Sequence, residues 1–154
     1  MPDYEFLGPG DKAALLGLSS PDYMVATRAA LIELGYKVHY TDTHEEFVGR
    51  FGQVQYEVAV IEECFGGVLP ENNVALTTLQ NMPMIRRRHV TIILFGDFFE
   101  TLNAMQAFGQ SAHGVINRGD IDKLKIVLQQ TISESAMFLN VFKDVQGRID
   151  QGKR

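Results

Sequence analysis

Two adjacent carboxylates close an apolar run in the middle of the chain. Tyr56-Glu57-Val58-Ala59-Val60-Ile61 leads directly into Glu62 and Glu63, a pattern that reads as a buried strand delivering acid at its carboxyl end. In an open α/β sheet that edge is where ligands and chemistry gather. Glu62 and Glu63 are therefore the first candidates for whatever chemistry the chain performs. Cys64 follows at once, but a lone thiol beside a strand end reads as a small packed or loop residue.

Other constellations are weaker. His39, His44, His89 and His113 fall in separate segments without ligand spacing, so no zinc site is expected. Gly8-Pro9-Gly10 and Gly66-Gly67 lack the strand and helix context that cradles a dinucleotide phosphate, and read as turns. No serine, histidine and acid arrangement carries a nucleophile motif. Asp42-Thr43-His44 reads as helix-cap chemistry. Arg86-Arg87-Arg88-His89 is a local basic run, expected to be a solvated entrance to the next strand.

The elements that must position Glu62 can be read from length, composition and period. At 154 residues the chain suits one compact domain. A net charge of -5 gives no general attraction to nucleic acid or anionic membrane. A single cysteine excludes an internal disulfide, and no apolar run approaches a membrane span, so the cytoplasm is the expected compartment. Residues 1–11 read as an irregular leader or linker.

A short buried run, Ala13 to Leu18, is followed by Ser20 and Pro21, which suit the cap and first turn of a helix ending at Gly35. Met24, Val25, Ala29, Leu31, Ile32 and Leu34 are expected to cover the sheet. Lys37-Val38-His39-Tyr40 is the second strand, and Thr43-His44-Glu45-Glu46 forms a capping box opening a second helix. Beyond Glu62 the pattern predicts a helix near Asn72 to Gln80, a strand at Val90 to Phe95, a helix near Glu100 to Phe108 and a strand around Gly114 to Ile116. A last helix begins near Asp120. Such alternation implies parallel strands joined by crossovers.

Together with the Tyr-acid-apolar run, this order over roughly Lys12 to Gln130 resembles the receiver domains of bacterial two-component response regulators. The resemblance implies an α/β fold, a three-layer doubly wound five-stranded parallel sheet in the order 2-1-3-4-5, here with an extended C-terminal helix. In that family the third strand ends in an aspartate that accepts a phosphoryl group, with a divalent metal and fixed cations stabilising the transferred charge. Glu62 stands in its place, and its extra methylene shifts the oxygen by about 1 to 1.5 Å, a displacement that penalises a positioned reaction.

The acidic pair that holds the metal falls on Leu18 and Ser19. A leucine supplies no oxygen ligand. The small hydroxyl residue ending the fourth strand falls on Gly96, or on Phe95 with a one-residue shift, and the aromatic of the fifth strand on Val115. Through Ala112 to Arg118, the family's lysine corresponds to Arg118, which keeps the charge and adds a fork suited to a carboxylate. Ser19, Glu62, Glu63, Gly96 and Arg118 thus outline a degenerate phosphoacceptor pocket, in which Glu62 either forms a fixed ion pair with Arg118 or stands as a hydrated strand-end carboxylate. No metal, cofactor or catalytic residue is expected.

Residues 12–132 are assigned to the receiver-like domain, 133–149 to an extension of the last helix, and 150–154 to a flexible tail. Ile121, Leu124, Leu128, Thr131, Ser135, Phe138, Phe142, Val145 and Ile149 recur at spacings of three and four. A helix from Asp120 to Gln146 would run ~40 Å, longer than the sheet it packs on. Phe138, Leu139, Phe142 and Val145 are therefore expected to meet a protein partner, most simply a second copy in a homodimer. The reading is a signalling or regulatory module that is not an enzyme and works through protein contact. The alternatives are a divergent phosphoacceptor using Glu62 or Glu63 and a small-molecule sensor of the same fold.

Overall fold

A computed structural model describes residues 6–87 and 89–135 of the chain. Five parallel strands form one sheet in the order β2-β1-β3-β4-β5. They are β1 Lys12–Gly17, β2 Tyr36–Tyr40, β3 Val58–Glu62, β4 Thr91–Gly96 and β5 Gly114–Asn117. Every residue of β3 and β4 is buried. This explains why both read as continuous apolar runs: a parallel sheet covered on two faces leaves no strand position for solvent.

The covering helices are α1 (Pro21–Glu33), α2 (His44–Gln53), α3 (Val74–Gln80), the single turn α4 (Met84–Arg87), α5 (Ala104–Gly109) and α6 (124–135). Two apolar cores result, one on each face. Leu16, Val60, Ile93 and Phe95 meet Tyr23, Leu31, Leu124 and Leu128 from α1 and α6. Leu15, Ala59, Ile61 and Leu94 meet Phe47, Phe51, Leu79 and Ala107 from α2, α3 and α5. The alternation of adjacent strand residues between the two cores is the period of two expected of a pleated strand.

Local expectations needed revision where side chains compete for backbone. Ser20 occupies the cap position of α1, but its side chain makes no capping bond; its N–H is directed to Glu62 instead. The sheet face of α1 is Tyr23, Thr27, Ala30 and Leu31, which leaves Val25, Ala29 and Ile32 exposed. The aromatic ring of Tyr23, stacked 5.4 Å from Phe95, sets that rotation. Gly35, at φ +95, then turns the chain into β2.

At α2 the capping box is half formed. Thr43 accepts from the Glu46 N–H, but the Glu46 carboxylate accepts from Asp42, one residue further back. The helix expected from Glu100 begins at Ala104 with Asn103 as its cap, and the last helix begins at 124 after a tight 3-10 segment, Arg118–Lys123. Asp120 lies within that segment, where its carboxylate accepts from Thr101.

Arg86 and Arg87 of the basic run are struts. Arg86 donates to the Phe51 carbonyl at 2.9 Å and lies over the Phe51 ring; Arg87 donates to the carbonyls of Gln80 and Ser111. Phe138, Leu139, Phe142 and Val145 lie outside the described residues.

Candidate functional site

The carboxyl ends of β1, β3, β4 and β5 bring the sequence-predicted residues to one edge. Register pairs Glu62 with Phe95, and Gly96 with Asn117, so Arg118 follows directly beyond the last strand. Glu62 is the last residue of β3 and its side chain is only 5% exposed. One carboxylate oxygen accepts from the Ser20 N–H at 3.3 Å, and the other lies 3.5 Å from an Arg118 Nη.

Arg118 is a shared cation. Its Nε sits 2.9 Å from the Asp97 carboxylate, a closer contact than the one to Glu62. Its guanidinium lies 4.9 Å from the centre of the Tyr23 ring, and its carbonyl accepts from the Tyr23 hydroxyl at 3.1 Å. Tyr23 therefore holds both ends of the residue. Burial raises the phenol above its ordinary pKa, with Arg118 acting in the opposite direction, so the ring stays a neutral platform for the cation.

Glu63 turns the other way. It covers Gly96 so closely that a Cβ there would lie 2.3 Å from the Glu63 carboxylate and 2.8 Å from the Phe99 ring. Burial first, and the Asp97 charge second, raise its carboxyl above the usual range. The position where the family carries a hydroxyl is thus filled from outside by a carboxylate and an aromatic ring. Glu63 and Gly96 are spatially coupled although 33 residues separate them in sequence (96 − 63).

Asn73, fully buried, fixes the backbone that carries both acids. Its amide donates to the carbonyls of Glu62 and Glu63 at 3.1 and 2.9 Å, and its oxygen caps α3 by accepting from Leu76. A cavity of 220 Å³ opens beside these groups, lined by Glu62, Glu63, Cys64, Asp97, Phe98 and Arg118 among others. Cys64 is exposed, and its thiol is pushed up in pKa by burial and then by the surrounding carboxylates. That shift keeps it protonated and a poor nucleophile.

Ser19 does not face this cavity as a free ligand. Its hydroxyl accepts from the Gly66 N–H at 2.6 Å, and neighbouring Leu18 is buried against the α1 side of the sheet. A hard divalent cation takes several oxygen ligands, and of the two positions the resemblance assigns to them Leu18 offers none and the Ser19 oxygen is engaged with Gly66. Among the described residues, no group of three or more histidine, cysteine or acidic side chains could hold a metal ion.

No family model matches the chain, and no curated protein matches it. Solved structures do. A response regulator from Chloroflexus aurantiacus superposes with a TM-score of 0.62 at 10% identity, over 80% of this chain and 98% of that one. The chemotaxis response regulator CheY4 of Vibrio cholerae gives 0.61 at 12% identity, over 79% and 98%. NtrX from Brucella abortus gives 0.64 at 14% identity, over 91% of this chain and 30% of that one. The fold is that of a response-regulator receiver domain. At such identities the likeness is one of backbone, so the receiver fold here carries a site whose residues must be judged on their own chemistry.

Asp97, Tyr23 and Asn73 were not singled out by sequence reasoning. Asp97 had a usable signal, an acid immediately beyond β4 on the same edge as Glu62. Asn73 stands at the start of a predicted helix, where its type favours a cap. Nothing in spacing alone would have put the Tyr23 ring beneath Arg118.

Proposed function

We propose that the chain is a receiver-fold signalling or regulatory module that works through protein contact and does not transfer phosphoryl groups. What supports this reading is the state of Glu62. A phosphoacceptor needs a free carboxylate oxygen beside a metal that neutralises the incoming charge. Glu62 instead has a backbone N–H on one oxygen and the Arg118 guanidinium near the other. Leu18 and Ser19, at the positions where the family carries its metal-holding acids, bring no carboxylate.

Protein contact is favoured by what remains on the surface. Phe98, Met105 and Phe108 are 89%, 78% and 81% exposed along the connection from β4 to β5. Large apolar side chains left in water together mark contact surfaces. Self-association through Phe138, Leu139, Phe142 and Val145 is the second contact proposed.

The test is incubation with a small phosphodonor and magnesium, followed by intact mass, with a competent receiver alongside. The expected result is a control that gains a phosphoryl group and a chain that does not. A phosphorylated species mapped to Glu62 or Glu63 would replace this reading with the divergent phosphoacceptor.

A further inference from the structure

The segment between β3 and α3 forms one wall of the 220 Å³ cavity through Glu63, Cys64, Leu69 and Pro70. Three side chains pin it, Ser19 and His44 from elsewhere and Asn73 from its own carboxyl-terminal end. The Ser19 hydroxyl accepts from Gly66, the Asn73 amide holds the Glu62 and Glu63 carbonyls, and His44 bridges its two ends. His44 lies at the first position of α2, with Nε2 2.6 Å from the Phe65 carbonyl and Nδ1 3.2 Å from the Ala75 nitrogen.

These partners fix the proton. Ala75 N–H is a donor, so Nδ1 must carry a lone pair; Phe65 C=O is an acceptor, so Nε2 carries the hydrogen. The two partners together suit the neutral ring in its Nε2–H tautomer. Its fit is close as well: it tilts against the Phe65 ring at 4.8 Å, and a Cβ at Gly66, which has φ +75, would lie 3.2 Å from it.

We propose that His44 is a proton-sensitive latch on the cavity wall. Of the three pins, neither the serine hydroxyl nor the asparagine amide is a base in water, whereas an imidazole is. Protonation turns Nδ1 from acceptor into donor, facing the Ala75 N–H with no bond to make. The latch is therefore closed on the alkaline side of the ring's titration and released as pH falls through it.

The other titratable groups on the packed elements are Glu45, Glu46 and Arg50 on α2 and Glu63, Cys64 and Glu71 on the wall; α3 carries none. Glu46 is engaged with the Asp42 N–H. None of these acids forms an ion pair with the ring among the described residues that would hold the latched geometry in the charged state. The latch does not depend on whether Glu62 carries phosphate.

Nitrogen-15 spectra of the His44 ring, with amide exchange corrected for its intrinsic pH dependence, test this on the full chain. The expected result is the Nε2–H tautomer at neutral pH. Exchange at Ala75, Gly66 and Gly67 should quicken roughly five- to tenfold as the ring protonates, about the loss of one hydrogen bond, while Ile93 in the core stays unchanged. His44→Phe should show the fast exchange at every pH, and Ser19→Ala should loosen Gly66 while keeping the pH dependence. An Nδ1–H tautomer, or Ala75 protection unaltered across the ring's titration, would overturn the latch even if His44→Phe failed to fold.

Discussion

Arg118 neutralises two carboxylates in unequal settings. Asp97 is mostly in water, whereas the Glu62 side chain is 5% exposed and the cation itself 43% exposed. Surface pairs of the Asp97 kind contribute little because solvent screens them. The Glu62 contact matters more, since removing the cation leaves a buried carboxylate held, among the described residues, by the Ser20 N–H. Arg118→Met is expected to destabilise the fold by about 1–3 kcal/mol. Glu62→Gln/Arg118→Met should lose less than the two single changes added together, because the second substitution removes the charge that the first left unpaired. Urea unfolding of the four proteins measures this; strict additivity would show that the two groups do not interact. The residue types of this pair were legible in sequence, but the sharing of Arg118 with Asp97 and Tyr23 was not, because it depends on rotamers set by three different elements.

At the scale of elements, Asn73 joins the end of β3 to the start of α3. Asn73→Ala would remove two bonds to the Glu62 and Glu63 carbonyls and the cap of α3 while leaving the backbone intact. A cap alone accounts for about 1 kcal/mol, and two buried carbonyls without donors add to it, so a loss of roughly 2–4 kcal/mol is expected. Asn73→Asp should recover the cap but not the two donations, and so fall between them in thermal melts. Equal melting of Asn73→Ala and the parent would contradict this account. Sequence pattern identified all five strands; β3 and β4, buried along their whole length, read as unbroken apolar runs, whereas the edge strand β2 mixes Lys37 and His39 with apolar residues. It misassigned the buried face of α1, whose apolar residues run around much of the helix. There the Tyr23 ring, stacking on Phe95 and supporting Arg118, chose the orientation in place of Val25 and Ile32. Helix starts were misplaced for a related reason: Asn103 and the 3-10 segment at Arg118 satisfy backbone donors in ways that apolar spacing does not encode.

For the whole molecule, the outcome turns on the apolar series that begins in the last helix. Thr131 and Ser135 interrupt its apolar stripe, yet both are buried. Thr131 packs where a Cβ on Gly114 would collide with it, and Ser135 is hydrogen-bonded to Thr91 at 2.9 Å. These polar positions are therefore contacts within the domain, made at the amino-terminal edge of the sheet where Thr91 opens β4. The apolar series resumes in sequence at Phe138, Leu139, Phe142 and Val145, which lie outside the described residues. Leaving such a stripe in water costs about 25 cal/mol per Å², and pairing with a second copy about a twofold axis removes it by the simplest symmetry. Sedimentation at micromolar concentration should give a dimer, and Phe138→Glu/Phe142→Glu a monomer with an unchanged far-ultraviolet spectrum. A parent chain that sediments as a monomer would remove self-association. A charged variant that remained dimeric would move the contact to the exposed Phe98, Met105 and Phe108 instead.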